Sequence, residues 1–469
     1  MASGLGRTRR VHFVGIGGAG MSGIAEVLVN LGYGVSGSDA KRSDVTDRLA
    51  SLGMRVAIGH DAANIGDADV VVVSSAIAAD NVELAGARRR HVPVIPRAEM
   101  LAELMRLRTG IAIAGAHGKT TTTSMIAWAL EQAGLDPTAV IGGRLSAFGS
   151  NARLGRSDYM VAEADESDRS FLTLSPTIAV ITNIDHEHME AYGSFDRLVE
   201  AFEAFADRVP FYGAVVACAD DPTVAKLAGT LRRRTISYGF AAGADVRGLE
   251  PVTDGHSAAC DVRFEVRGIA GGSGAGRLTL RVPGVHNLQN ALAAVAVGLE
   301  VGVPFDQLSE ALSRFRGAER RYELRGEAAG VTVVDDYGHH PTEIAAVLRA
   351  ARAGSPGRLV AVFQPHRYTR TRDLVDAFGP ALGLADVVVL TDIYAAGEAP
   401  IAGVSIEMLA DAVRPAVKEL HVMRDLAALP DGVAALARSG DLVITLGAGS
   451  IGAAGDRILA AITNRRTRS

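Results

Sequence analysis

Two stretches of this sequence set glycine-rich turns between an apolar strand and a helix, where backbone N–H groups can meet phosphate. In GAHGKTTTTS, Lys119 follows a glycine turn and Thr120 follows the lysine. A lysine so placed can reach β/γ-phosphates, and the hydroxyl after it can ligate Mg2+. Gly115, Ala116, His117, Gly118 and Thr121 complete that loop, and Ile113 stands where a Walker glycine would, so the cradle rests on Gly115. In HFVGIGGAGMSG, Gly15, Gly17 and Gly20 match GxGxxG, with Gly18 inside it. The opening of the following helix suits a diphosphate. Asp39 ends the next strand, where a carboxylate can bind a ribose diol. These residues alone fit a nicotinamide dinucleotide as well as any other diphosphate.

Carboxylates and imidazoles follow two further strands. YMVAEADESD carries Glu163, Asp165, Glu166 and Asp168, and VITNIDHEHM carries Asn183, Asp185, His186, Glu187 and His188. Strand ends of one parallel sheet converge, so these groups can share Mg2+ with a nucleotide triphosphate. A third set, DDYGHHPTE and QPHRYTRTRD, offers Tyr337, His339, His340, His366, Arg367 and Arg370. A guanidinium fork matches a carboxylate. Arg367 and Arg370 share one face if their segment is helical. No Ser/His/Asp or Cys/His signature suggests a protein nucleophile.

The elements that must hold these groups follow a strand–helix rhythm. VHFVG, YGVSGS, VVVSS and PVIP alternate with helical patterns up to about residue 106, which implies a parallel sheet. A new strand, IAIAG, opens a second set, and DVRFEVRG and GRLTLRV, within residues 244–283, predict an antiparallel β insertion. RGAERRYELRG connects to a third set containing VTVVDDYG, RLVAVFQ and DLVITLGAG. The expected plan is α/β in three domains: residues 1–108 Rossmann-like, residues 109–317 P-loop-type with the insertion, and residues 318–469 again Rossmann-like.

The 469 residues suffice for about three domains. A net charge of −5 without long runs of one sign argues against nucleic acid. Cys218 and Cys260 stand far apart, with no metal or disulfide spacing. The basic start lacks the apolar run of a signal peptide, and the longest apolar runs are too short for a bilayer. A cytoplasmic protein without membrane or nucleic-acid partners is expected.

The motifs, in order, resemble the Mur ligases of cell-wall synthesis: HFVGIGGAGMSGIA, SGSD, SSAI, RAEMLAELM, GAHGKTTTT, EADESDRSFL, TNIDHEHM, HNLQNALAA, RRYELRG, DDYGHHPTE, QPHRYTRTRDL and YAAGEAPI. The resemblance spans nearly the whole chain. It implies that the first loop holds a UDP-sugar instead of NAD and that the second holds ATP. The implied reaction joins L-alanine to the lactyl carboxylate of UDP-N-acetylmuramate through an acyl phosphate, with Mg2+. A recycling ligase that attaches a tripeptide to the same sugar shares most motifs; a nicotinamide oxidoreductase leaves GAHGKTTTT and HNLQN without purpose.

Carried onto this sequence, the resemblance puts Gly15, Gly17, Gly18, Gly20, Ser38, Asp39, Ser75 and Arg97 around the UDP-sugar. It gives Lys119, Glu163, His188 and His339 catalytic roles, and makes Thr120, Glu163 and His188 the metal site. ATP would be held by residues 115–121 with His286, Asn287, Asn290, Arg320 and Asp336. Tyr337, His339, His366, Arg367 and Arg370 would shape the amino-acid pocket. Three positions depart from the family pattern: Ala116 for Thr or Ser, Glu187 for Asp, and Ser450 for Asp.

Overall fold

The computed structural model describes residues 4–74, 76–145, 150–269, 271–354 and 357–466. Three sheets carry the fold. The first is wholly parallel, in the order Arg55–Ile58, Gly34–Asp39, Arg10–Val14, Val70–Val73, Val94–Pro96. Its glycine loop therefore leaves the central strand and enters the helix Ala19–Asn30. Helices on the faces bury the apolar side chains, Val14 and Val71 packing with Ile65, Leu84 and Ala87.

The second sheet has ten strands and places Thr109–Ala114 between Ile178–Ile181 and Tyr159–Glu163, all parallel. The predicted insertion is part of this sheet. Val246–Thr253, Ala258–Glu265 and Ser273–Leu280 extend this same sheet beyond Thr235–Gly239, which Val246–Thr253 joins in parallel. Only antiparallel neighbours can be joined by the short turns that separate these three strands.

The third sheet runs Glu323–Ala328, Val331–Asp336, Leu442–Leu446, Leu359–Phe363, Val387–Leu390, Glu419–Val422. All its pairs are parallel except the first, which makes the RRYELRG connector partly an antiparallel edge strand. Successive side chains of a strand face opposite sides. Accordingly Leu359, Ala361 and Phe363 join one buried cluster, while Val360 and Val362 join the other. Burial on both faces explains why these strands read as unbroken apolar runs.

Two compact units result. One comprises Met1–Leu249, Asp261–Leu278 and Gln289–Phe315; the other comprises Glu250–Cys260, Thr279–Leu288 and Arg316–Ser469. Among the described residues no helix is long and apolar enough to cross a membrane.

Candidate active site

The second glycine loop is built by close packing. Gly118 takes φ +80 at the start of the helix Lys119–Gln132, a left-handed conformation that glycine adopts at no steric cost. A Cβ there would lie 2.7 Å from Asn290 Oδ1. Asn290 Oδ1 accepts from Thr122 Oγ1 at 3.1 Å, so in this structure Asn290 braces the loop. His117 is fixed at both ends: its N–H donates to Asn183 Oδ1 at 2.8 Å, and its ring Nε2 lies 2.9 Å from Asp185 Oδ2.

Lys119 Nζ donates to Gly115 O at 2.6 Å and to Glu166 Oε1 at 2.7 Å. Burial works against its charge, but the carboxylates of Glu166, Glu163 and Glu187 outweigh it and hold the ammonium above its usual range. Burial raises the Glu166 carboxyl to about 7 in spite of the adjacent ammonium. Thr120 Oγ1 donates to Glu163 at 3.1 Å. His188 sits at φ +57, with Nε2 3.6 Å from Glu187 Oε2 and 4.0 Å from Glu166 Oε1.

The expected metal residues thus fall into two groups beside Lys119: Thr120 with Glu163, and His188 with Glu166 and Glu187. Glu166, Glu187 and His188 can each offer one ligand atom within 4.8 Å of the others. Glu166 is 2% exposed, and its Oε2 is buried without a hydrogen-bond partner. Such an orphaned carboxylate oxygen fits a divalent cation. In EADESD and DHEHM, Glu166 and Glu187 have the local pattern of any loop carboxylate, and only the fold brings them beside Lys119 and His188.

A cavity of about 280 Å³ beside these groups is lined by Gly20, Arg97, Leu101, Lys119, Val140, Ile141, Glu163 and Asp165. It joins the second loop to the first domain. Gly20 lies against Arg97: a Cβ there would come within 2.5 Å of Nη1, so a larger residue would displace the guanidinium. Arg97 Nη2 in turn donates to Asp165 Oδ2 at 3.3 Å.

In the first loop, Gly18 precedes the helix Ala19–Asn30 without a side-chain cap, leaving that end open to an anion. Gly17 N–H donates to Asp39 Oδ2 at 2.9 Å, so the carboxylate expected at the ribose also closes the loop. The N–H groups of Gly15 and Ile16 both donate to Ser38 O, at 2.8 and 3.0 Å. Ser38 is fully buried and its hydroxyl donates to Glu83. Its side chain therefore supports the loop from beneath. Glu83 itself was not anticipated. Ser75 lies outside the described residues.

In the C-terminal unit, Arg320 is already engaged: Nε donates to Asp335 Oδ2 at 2.8 Å and Nη2 to Gly447 O at 2.6 Å. Asp336 is 4% exposed and accepts from Tyr322 N–H at 2.7 Å and Gly338 N–H at 2.6 Å. Burial raises its carboxyl to about 6. Both residues, expected at phosphates, here tie together the ends of the hairpin of residues 323–336, Arg320 also reaching Gly447. The neighbouring Arg321 lies over the Tyr337 ring at 5.1 Å. Burial lowers His286 to about 4, and Asn287 Nδ2 donates to Pro283 O at 2.7 Å.

The expected amino-acid residues do come together. Tyr337, His339, His366 and Tyr394 form a ring-to-ring row with centroid separations of 5.5, 5.4 and 5.6 Å. His339 Nδ1 lies 3.1 Å from Tyr337 O, so that nitrogen carries the proton. Burial drives His339 down to about 3, with Arg370 and His366 adding to the effect against Glu343. The shared helical face of Arg367 and Arg370 is not found. The helix is Tyr368–Asp373, and Arg367 precedes it at φ +71. Arg370 Nη1 lies 3.1 Å from His366 Nδ1, whereas Arg367 Nη1 is 3.9 Å from Glu398 Oε1.

Comparison with known proteins accounts for the three sheets in turn. Residues 10–109 match the Mur ligase family catalytic domain, 113–298 the Mur ligase middle domain, and 320–449 the Mur ligase glutamate ligase domain. A UDP-N-acetylmuramate–L-alanine ligase of Pelobacter propionicus is 52% identical, covering 97% of this chain and 98% of its own. One from Anaeromyxobacter sp. is 55% identical, over 97% and 98% of the two chains. The crystal structure of the UDP-N-acetylmuramate-alanine ligase of Thermotoga maritima matches with a TM-score of 0.81 at 30% identity, over 98% of this chain and 100% of that one. A murein peptide ligase of Psychrobacter arcticus gives 0.72 at 25% identity, over 97% and 99%.

Proposed function

The chain belongs to the Mur ligase family, and on that premise we propose how its residues carry out the ligation of L-alanine to UDP-N-acetylmuramate. The protein is an ATP-dependent ligase of peptidoglycan synthesis. The observation that carries this is identity of 50–55% to curated ligases of that name over nearly the whole of both chains. The murein peptide ligase, at 25%, is a more distant likeness, which favours alanine over a tripeptide. Membership of the family supports a UDP-sugar over a nicotinamide dinucleotide at the first glycine loop.

A carboxylate does not acylate an amine at neutral pH, because its leaving group is poor. The lactyl carboxylate oxygen attacks the γ-phosphorus of ATP and ADP leaves. The alanine amine then attacks the carbonyl carbon of the acyl phosphate, loses a proton, and inorganic phosphate departs. Positioning and charge neutralisation are the protein's share.

Lys119 supplies a fixed positive charge at the transferred group, and the cavity shared with Gly20 and Arg97 suits the sugar end of the substrate. Thr120, Glu163 and His188, joined by Glu166 and Glu187, would hold Mg2+. When bound, the cation neutralises phosphate charge. His188 and His339 are our two candidates for assisting the departing amine proton. His339, held at about 3, is a weak base and would act on the amine by accepting a hydrogen bond at Nε2 instead of keeping its proton. We assign residues 1–108 to the nucleotide-sugar, 109–317 to ATP and 318–469 to the amino acid, and place the protein in the cytoplasm.

Phosphate release from ATP, measured with UDP-N-acetylmuramate or the amino acid omitted in turn, tests the reading. Full release needs both, with L-alanine. Release with a tripeptide but not with L-alanine would overturn it in favour of the recycling reaction.

A further inference from the structure

The first domain contains a buried polar chain that the reaction described above does not use. Glu83 is fully buried, yet four groups donate to its carboxylate. His12 Nε2 lies 3.0 Å and Ser38 Oγ 2.8 Å from Oε2; Asn64 Nδ2 lies 2.9 Å and the Asp61 N–H 3.1 Å from Oε1. A carboxylate in such a cage accepts only, so every partner must present a proton to it. The proton of Ser38 Oγ is thereby committed to Glu83. His60 Nδ1 stands 3.0 Å from that same Oγ and 3.5 Å from Glu83 Oε1.

Both neighbours of His60 Nδ1 are thus acceptors. The proton of the neutral ring must sit on Nδ1, which leaves Nε2 a bare acceptor on a side chain 22% exposed. The fold sets where this acceptor stands. The strands Arg10–Val14, Gly34–Asp39 and Arg55–Ile58 are parallel neighbours, so their carboxyl ends lie along one edge. Along that edge come the glycine loop, then Asp39, then His60. A nucleotide whose diphosphate lies on the first and whose ribose lies at the second brings its base to the third, about 10 Å from the loop at two strand spacings.

We propose that His60 reads the base of the nucleotide-sugar through Nε2, and that Glu83, acting through Ser38, is the positioning residue that holds the ring in the accepting tautomer. The base selected is one with an N–H donor on its pairing edge, as at N3 of uracil. Cytosine presents a lone pair at the same atom and is refused. The inference rests on the reading of the first loop as the UDP-sugar site.

Calorimetric titration of the full chain with UDP, CDP and 3-methyl-UDP provides the test. Wild type is expected to bind UDP at least about tenfold more tightly than either analogue, as loss of one well-placed hydrogen bond predicts. His60→Ala should weaken UDP about tenfold, leave CDP unchanged, and bring the UDP/CDP ratio close to one. Glu83→Gln, if it folds, should also lower the ratio, because an amide no longer dictates the direction of the Ser38 hydroxyl. His60 is partly exposed, so its variant keeps the test open should Glu83→Gln fail to fold. A UDP/CDP ratio unchanged in His60→Ala, with UDP still bound, would overturn this inference alone. Absence of UDP binding by the wild type would instead overturn the reading of the loop, and this inference with it.

Discussion

The Lys119 ammonium and the Glu166 carboxylate meet at 2.7 Å in a site where both side chains are largely buried. Lys119, which we propose serves the ATP phosphates, is therefore held by a carboxylate whose other oxygen has no hydrogen-bond partner. Glu166→Gln keeps the shape and removes the charge. The Mg2+ concentration for half-maximal activity should rise by about tenfold or more, the scale found when a group supporting a metal site is lost. A Mn2+ titration followed by electron paramagnetic resonance, without turnover, should show the same loss of affinity. An unchanged titration in both would place Glu166 outside the metal site.

Lys119→Ala should abolish ligation while leaving UDP-N-acetylmuramate binding intact. Although Lys119 and Arg97 line one cavity, among the described residues Lys119 hydrogen-bonds to its own loop and to Glu166, whereas the first loop is closed by Asp39 and Ser38. Calorimetry on the variant checks this division; parallel loss of nucleotide-sugar affinity would refute it.

The amino-acid carboxylate should depend on Arg370 more than on Arg367. Arg370 adjoins His366 within the aromatic row, whereas Arg367 turns toward Glu398. Arg370→Lys loses the planar fork. Removing a charge-assisted hydrogen bond costs roughly 1.5–3 kcal/mol, or one to two orders of magnitude in kcat/KM for alanine. The KM for UDP-N-acetylmuramate should not move, and alaninamide should be a poor substrate. Loss of affinity for ATP alone would show that Arg370 serves phosphate.

Acid should destabilise the C-terminal unit in a defined window. Burial lowers His286 and His366 to about 4 and His339 to about 3, below the ~6.5 of an unfolded chain. Between these values the unfolded state binds more protons, so stability rises with pH and is lost as pH falls from about 6.5 toward 4. Measured above pH ~4.5, the slope excludes Glu83, whose carboxyl burial works to raise but the hydrogen bonds from His12, Asn64 and Ser38 hold down at about 2; Asp336, raised by burial to about 6, binds a proton in the folded state within this window and offsets about one of the three histidines. Thermal unfolding against pH should show this slope, and His366→Asn should reduce it by about one proton. An equal slope in the variant would mean that His366 titrates normally.

His339 should set the level of activity and not its pH profile. A ring held at about 3 stays neutral throughout the working range, so His339→Asn should lower kcat without displacing the acid limb. A displaced limb would make His339 the titrating base.

The sequence by itself determined the strand–helix alternation, the two glycine loops and the family, and nominated the residues expected around them. Those signals are local: a period of two or of 3.6 residues, or a glycine that a turn requires, can be read from neighbours in the chain. Tertiary structure alone decided which polar groups are caged. Glu83 meets His12 across 71 positions, Glu166 meets Lys119 across 47, and Arg320 is taken up by Gly447 across 127. A carboxylate in a loop has the same local pattern whether water or a buried lysine faces it. The cost of leaving a buried polar group unpaired, which fixes these partners, arises only when distant strand ends are brought side by side.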